Sequence, residues 1–190
     1  MKTALIGLDY IVDIMHPSGK IARCAAQAEQ RGIVTRFNAA LSVAKQQDWL
    51  RILVKVGFDP DYADAPAHSP IFGRAKEFGA LNLNGPGTAF HPELDAAAAQ
   101  LVVAKPRISA FYATRLEAAL RANGIERVVI AGVSTTWAVQ ATARDAHDRD
   151  YHVLVLEDAC AAATDDDHQR SIETLRGIAR IVSTDELTAA

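Results

Sequence analysis

Six short apolar runs, separated by stretches with helical spacing, are the feature that most narrows what this chain can fold into. The runs are Ala4 to Leu8, Ile52 to Val56, Leu101 to Ala104, Val128 to Gly132, Val153 to Leu156 and Ile178 to Val182. Short, nearly continuous runs rich in branched residues are the mark of strands covered on both faces. Between them, Ile33, Phe37, Leu41 and Ala44 recur at helical spacing, as do Leu116, Ala119 and Leu120 before Gly124, and Val139, Ala143 and Ala146 before Asp150. Thr164 followed by Asp167 has the form of a capping box, with Asp in place of the usual Glu, opening a helix through Ile172 and Leu175. Strand and helix in alternation predict an α/β protein in three layers: a six-stranded, mostly parallel, doubly wound sheet of Rossmann-like type. Strands one and four are expected side by side at the switch point, where ligands gather beyond the carboxyl ends of the strands.

One stretch breaks the alternation. Residues 58–98 hold five of the seven prolines (Pro60, Pro66, Pro70, Pro86 and Pro92) together with Gly73, Gly79, Gly85 and Gly87. A connection this long and irregular is expected to be a lid or an interface loop. The 190 residues are read as one domain, 1–190. Net charge is −3, from 20 basic and 23 acidic residues with no basic cluster, which argues against nucleic acid or an anionic membrane as partner. No apolar run approaches the roughly 18 residues of a membrane span, and the opening MKTALIGLDY lacks the form of a signal peptide. The two cysteines, Cys24 and Cys160, make neither a disulfide framework nor a zinc pattern, so a cytoplasmic location is expected.

Three segments carry candidate chemistry. Asp9 ends the first apolar run, where a carboxylate is expensive to bury without a partner. Lys105 ends the third run and is held extended by Pro106. Each alone reads equally as a turn residue or a solvated strand end; together, two opposite charges at strand ends of one sheet can meet. The third segment, Ala131 to Ala138, leaves a strand and opens a helix, with Thr135 as N-cap candidate. Such a turn presents backbone N–H groups at a positive helix end, suited to a developing oxyanion.

Taken together, ALIGLDYIVD, VVAKPRISAFYATRLEAALRANGIERVVIAGV and GVSTTWAVQATARDAHDRDYHVLVLEDAC resemble the isochorismatase-like, or cysteine hydrolase, superfamily over nearly the whole chain. In the first, Asp9 and Asp13 fill the places of the family's paired acids. In the second, Lys105, Arg107, Ser109, Ala110 and Phe111 match its Lys-x-Arg-x-Ser-Ala-Phe segment. The resemblance implies that Asp9 is the catalytic acid or base and Lys105 its cationic partner. It implies a cis peptide between Val133 and Ser134, and N–H groups of Ser134 and Ala138 aimed at the reacting oxygen. It also implies a homo-oligomer, dimer or tetramer, and a small-molecule substrate.

Two departures from the family pattern matter. The family's amidases carry a nucleophilic Cys where this chain has Ala138. Natural loss and an engineered Cys→Ala exchange both fit. Natural loss is preferred, because isochorismatases of the superfamily hold a small residue there and hydrolyse a vinyl ether without a covalent intermediate. Cys160, read as lying in a turn after the fifth strand, and Cys24, before the first helix, offer no replacement. The second departure is the missing Asp-x-His metal motif of nicotinamidases: the place reads Val56-Gly57-Phe58-Asp59-Pro60. Asp59, Asp61, Asp64, His68 and His91 are read as solvated or structural, so no metal and no cofactor are expected.

The reading adopted is a non-covalent hydrolase. An amidase whose nucleophile is replaced, and a retired binding protein that keeps the pocket, are the alternatives. Tyr10, Phe58, Phe111 and Trp137 are candidate pocket walls, and Arg74 or Arg107 a candidate anion holder. The strand exit Gly7-Leu8-Asp9-Tyr10 has no glycine fingerprint, which argues against a dinucleotide-binding dehydrogenase.

Overall fold

The computed structural model describes residues 1–187. Strand β1 (Thr3–Leu8) is followed by the short helices α1 (Val12–Met15) and α2 (Ala25–Gln30) and the long helix α3 (Ile33–Gln46). Then come β2 (Leu50–Val56), α4 (Ala75–Phe78), 3-10 turns at Pro86–Thr88 and Ala96–Ala98, β3 (Leu101–Lys105), α5 (Leu116–Ala122) and β4 (Arg127–Val133). A π-helical turn (Thr135–Val139) leads into α6 (Gln140–His147), β5 (His152–Ala161), α7 (Asp165–Leu175), β6 (Arg180–Val182) and α8 (Thr184–Leu187). All strand pairs are parallel, in the order β3-β2-β1-β4-β5-β6. The sheet is doubly wound, and β1 lies beside β4 at the switch point as the sequence predicts.

Burial follows position in the sheet. Every residue of β1, in the middle, is buried. The edge strand β3 differs from the expectation of strands covered on both faces: Val102 and Ala104 face solvent while Val103 and Lys105 point inward. An edge strand has one neighbour and no helix over its outer face, so alternation returns. Three boundaries also differ. Strand β5 continues through Glu157, Asp158, Ala159 and Cys160, so Cys160 lies in a strand, opposite Gly132, rather than in a turn. Residues Ile178 and Ala179 close the end of α7, donating to the Leu175 carbonyl, and β6 starts only at Arg180. Thr135 is not an N-cap: the boundary falls at Ser134, and Thr135 is the first residue of the π turn. The Thr164 cap is present, its hydroxyl accepting the Asp167 N–H at 3.1 Å.

The 58–98 connection folds into a small lobe. Ile11, Val56, Phe58, Phe72, Ala75, Ala80 and Leu81 make a second apolar cluster beside the main core. Asp13 ties this lobe to α1: its carboxylate accepts the Leu81 N–H at 2.7 Å and the Lys20 N–H at 3.2 Å. Gly87 lets the chain pass against that carboxylate, since a Cβ there would overlap it. Among the described residues no helix is long and apolar enough to cross a membrane.

Candidate active site

Asp9 and Lys105 meet at the carboxyl end of the sheet, although their strands are not neighbours. Strand β2 lies between them, and the Asp9 side chain reaches across its end. One oxygen, Oδ1, accepts the Val56 N–H at 2.6 Å, and Oδ2 sits 2.8 Å from Lys105 Nζ. The turn off β1 makes this possible: Asp9 has φ +56, a left-handed conformation that Asp tolerates better than most residues. Both side chains are almost wholly buried. Burial pushes the Asp9 carboxyl above the usual carboxylate range, opposed by the charge and hydrogen bond of Lys105 and then by the Val56 N–H. Lys105 Nζ also donates to the carbonyls of Ile108 (2.7 Å) and Arg107 (3.3 Å), so the ammonium has three acceptors. The loop that supplies those carbonyls is pinned to α6, where Ser109 Oγ donates to Asp145 and the Ala110 N–H to Thr142 Oγ1 at 3.1 Å.

The turn after β4 closes the other side. The Val133–Ser134 peptide is cis. Gly132 has φ +139 and lies so close to the Leu8 carbonyl that no Cβ fits there. The Ser134 carbonyl accepts the N–H groups of Trp137 and Val139, both at 3.2 Å, while among the described residues no protein acceptor takes the Ser134 N–H.

These groups open into one cavity of about 200 Å³, lined by Asp9, Lys105, Val133, Ser134, Trp137 and Ala138 on the sheet side. Pro70, Ile71, Phe72, Arg74, Ala75, Phe78 and Leu81 line it from the 58–98 lobe. That stretch therefore forms a wall of the cavity.

Of the aromatic candidates, Trp137 alone lines this cavity, and it is half exposed. Tyr10 is buried under the sheet end, stacked on Phe37 at 4.6 Å, with its hydroxyl donating to the Ala159 carbonyl. Phe58 is the centre of the lobe's own core, edge-on to Phe72. Phe111 packs against Tyr151 under the Arg149 guanidinium. These three are packing residues, because each ring finds a core neighbour before it reaches the cavity. Arg107 is turned away as well, donating to the carbonyls of Asp64 and Pro106. Arg74 does line the cavity, but Glu77 holds it through two hydrogen bonds of 2.8 Å.

Sequence reasoning missed several groups. Arg23 and Cys24, just before α2, line the cavity together with Ile14 and Ile21; they stand in an irregular segment with no periodicity to flag them. The Cys24 thiol is pushed up to about 11 by burial, the Arg23 charge partly offsetting it. The Cys160 thiol, pushed up to about 12 by burial, is a core group donating to the Leu156 carbonyl. Behind the turn, wholly buried His168 joins Thr135 to Glu157.

Among the described residues no three His, Cys, Asp or Glu side chains converge as a metal site. The acids that follow β2 serve the loop instead: Asp64 caps the Asp59 N–H and Asp61 the Ala63 N–H. The residues at the nicotinamidase metal position do not fit a metal.

The six-stranded parallel sheet of this order is the fold that the resemblance in sequence implied. The isochorismatase domain model matches residues 3–186, and the chain belongs to the isochorismatase family of hydrolases. It is 35% identical over 143 residues to the isochorismatase family protein YecD of Escherichia coli O157:H7, covering 73% of this chain and 72% of that one. It is 32% identical over 161 residues to the ureidoacrylate amidohydrolase RutB of Yersinia enterocolitica, covering 76% of this chain and 70% of that one. The crystal structure of an isochorismatase family protein from Desulfovibrio vulgaris superposes with a TM-score of 0.88 at 24% identity, covering 99% of this chain and 97% of that one.

Proposed function

We propose that this chain hydrolyses a small enol-ether substrate without a covalent enzyme intermediate, using Asp9 as general acid and Lys105 as its charged partner. The observation that carries the reading is the methyl group of Ala138 in the cavity wall, where a nucleophile is absent and a buried acid is present. Protonated Asp9 gives its proton to the alkene carbon, and the ether carbon becomes oxocarbenium-like. A water adds to that carbon, its proton returning to Asp9, and the resulting hemiketal collapses to a carbonyl compound and an alcohol. Burial already favours the acid form of Asp9. While Asp9 is protonated, Lys105 keeps the Ile108 and Arg107 carbonyls as acceptors, so its ammonium is not stranded. In this reading the N–H groups of Ser134 and Ala138 hold the substrate oxygen on which charge changes, and the Ser134 N–H having no protein acceptor supports it.

A second reading is favoured by a different observation. The relative RutB is an amidohydrolase. An amidase with Cys at position 138 would run the same site in reverse, ionised Asp9 taking the thiol proton before the thiolate attacks a carbonyl carbon. One experiment separates the two: the chain as it stands and Ala138→Cys are assayed on isochorismate, ureido acids and small amides. The first reading expects turnover of the enol ether by the unaltered chain and a loss of about 10²–10⁴-fold in Asp9→Asn. Activity confined to Ala138→Cys, and to amides, overturns it in favour of the second. No turnover by either protein leaves the cavity as a binding site and overturns both.

A further inference from the structure

We propose that Arg23 is the anchor for a carboxylate on the ligand, so that the cavity selects a small carboxylic acid with an apolar body. The inference deepens the reading of this cavity as the substrate pocket. Four charged side chains line it: Asp9, Lys105, Arg74 and Arg23. Asp9 and Lys105 are paired at 2.8 Å, Lys105 holding the Ile108 and Arg107 carbonyls as well, and Arg74 is paired with Glu77. Among the described residues the Arg23 guanidinium has neither an ion-pair nor a hydrogen-bond partner. Of the cations lining the cavity it is the one that no described group holds.

Among the described residues no carboxylate pairs with it. Asp9, the one carboxylate in the lining, has an oxygen on Val56 and the other on Lys105. Cys24, the neighbour whose thiol feels the Arg23 charge, is held protonated by burial at neutral pH. The anion that completes this site must therefore come with the ligand. A guanidinium offers a carboxylate two parallel N–H bonds, a geometry that an amide does not match in charge.

Depth orders the ligand. Arg23 is exposed at the mouth, whereas Asp9 and Lys105 are buried at the floor. The carboxylate then lies outward and the reacting group inward, with the body between Ile21, Phe72 and Trp137.

The test uses inert probes, so it does not depend on which bond the protein hydrolyses. Benzoate and benzamide share a ring and differ in charge. Their binding to the full chain is measured by calorimetry at low salt, with quenching of tryptophan fluorescence as a second signal, since Trp137 lines the cavity. The expected result is benzoate at least about tenfold tighter than benzamide, as a charge-assisted pair allows. That preference falls to within about twofold in Arg23→Gln, is partly kept in Arg23→Lys, and survives in Arg74→Gln. Equal affinities in the unaltered chain overturn the proposal, as does failure of both probes to bind at millimolar concentration. A preference that persists in Arg23→Gln, or vanishes in Arg74→Gln, moves the anchor elsewhere and also overturns it. Failure of the enol-ether assay alongside a benzoate preference lost in Arg23→Gln rejects the proposed reaction and leaves this anchor standing.

Discussion

Thr135 and His168 are joined in the interior: Oγ1 lies 2.8 Å from Nδ1, and both side chains are wholly buried. The bond is one link in a closed circuit around the turn that follows β4. From His168 Nε2 the circuit passes to Glu157 Oε1 at 2.8 Å, and from Glu157 to Arg31 at 2.5 Å. Arg31 Nε donates to the Cys160 carbonyl at 3.0 Å, and Cys160 pairs with Gly132 in the β4–β5 ladder. Both ends of the segment from Gly132 to Thr135 are thereby braced, and this segment sets where Ser134 and Ala138 point their N–H groups. Glu157 accepts from Nε2, so in the neutral ring Nδ1 accepts from the Thr135 hydroxyl.

Replacing Thr135 by Val keeps the volume and strands Nδ1 in the core. An unsatisfied buried polar group costs about 1–3 kcal/mol. Urea unfolding is expected to show a loss in that range for Thr135→Val and a much smaller one for Thr135→Ser, which keeps the hydroxyl. Equal losses in the two variants would show that the methyl group, not the hydrogen bond, is what matters.

Glu157 gives the circuit a pH dependence. Its carboxyl is held down at about 2, first by the His168 hydrogen bond and then, against the opposing effect of burial, by Arg31. The folded value lies below the unfolded one of about 4.3, so the ionised form is favoured by folding. This stabilisation is complete above the unfolded value and is lost as pH falls toward about 2. Asp9 works in the opposite sense: its folded value is raised, so its contribution is present below about 3.9 and is lost as pH rises through the folded value. Unfolding midpoints measured between pH 5 and 2.5 are expected to fall less steeply in Glu157→Gln than in the unaltered chain. Parallel slopes would place the acid sensitivity at other carboxylates.

The order of the elements was readable because it rests on periodicity, and period survives without knowledge of neighbours. So was the meeting of Asp9 with Lys105, because polar residues that interrupt apolar runs at strand ends must share one edge of a parallel sheet. What failed were inferences from residue type alone. Tyr10, Phe58 and Phe111 sit beside motif residues in sequence, but an aromatic ring is satisfied by the first apolar neighbours it meets, and these met Phe37, Phe72 and Tyr151. Arg23 and His168 were overlooked for the opposite reason. Each owes its place to partners or walls 30 or more residues away, such as Phe72 across from Arg23 and Thr135 opposite His168. No local pattern encodes that.

Lys105 is the residue whose loss is expected to weaken the fold most among the cavity groups. Lys105→Met leaves a buried carboxylate with the Val56 N–H as its remaining donor. Removing one partner of a buried pair costs about 3–5 kcal/mol, part of which is recovered when the other partner takes a proton. Thermal or urea unfolding at pH 7 is expected to show a loss of that order, smaller at pH 4, where Asp9 protonates without cost to the folded state. A loss below about 1 kcal/mol at pH 7 would mean that the pair is solvated in solution.

The last prediction concerns thiols and does not depend on the substrate. Cys24 is pushed up to about 11 and Cys160 to about 12, both chiefly by burial, so neither is a thiolate at neutral pH. Thiolate is the reactive form, and a shift of Cys24 from 9.0 to about 11 lowers its fraction about a hundredfold. Native protein at pH 7.5 is expected to react with iodoacetamide far more slowly than unfolded protein at both positions. Ala138→Cys changes this. Position 138 lies in the first turn after β4, with Lys105 in the same cavity. Helix N–H groups and a nearby ammonium both favour the thiolate. One new equivalent is expected to alkylate at least about tenfold faster than a solvent-exposed reference thiol, with mass spectrometry placing the label on residue 138. A new thiol no faster than Cys24 would show that the site does not acidify a nucleophile, and would count against an amidase history for this cavity. Rapid labelling of Cys24 in the unaltered chain would mean that the cavity wall is open to solvent.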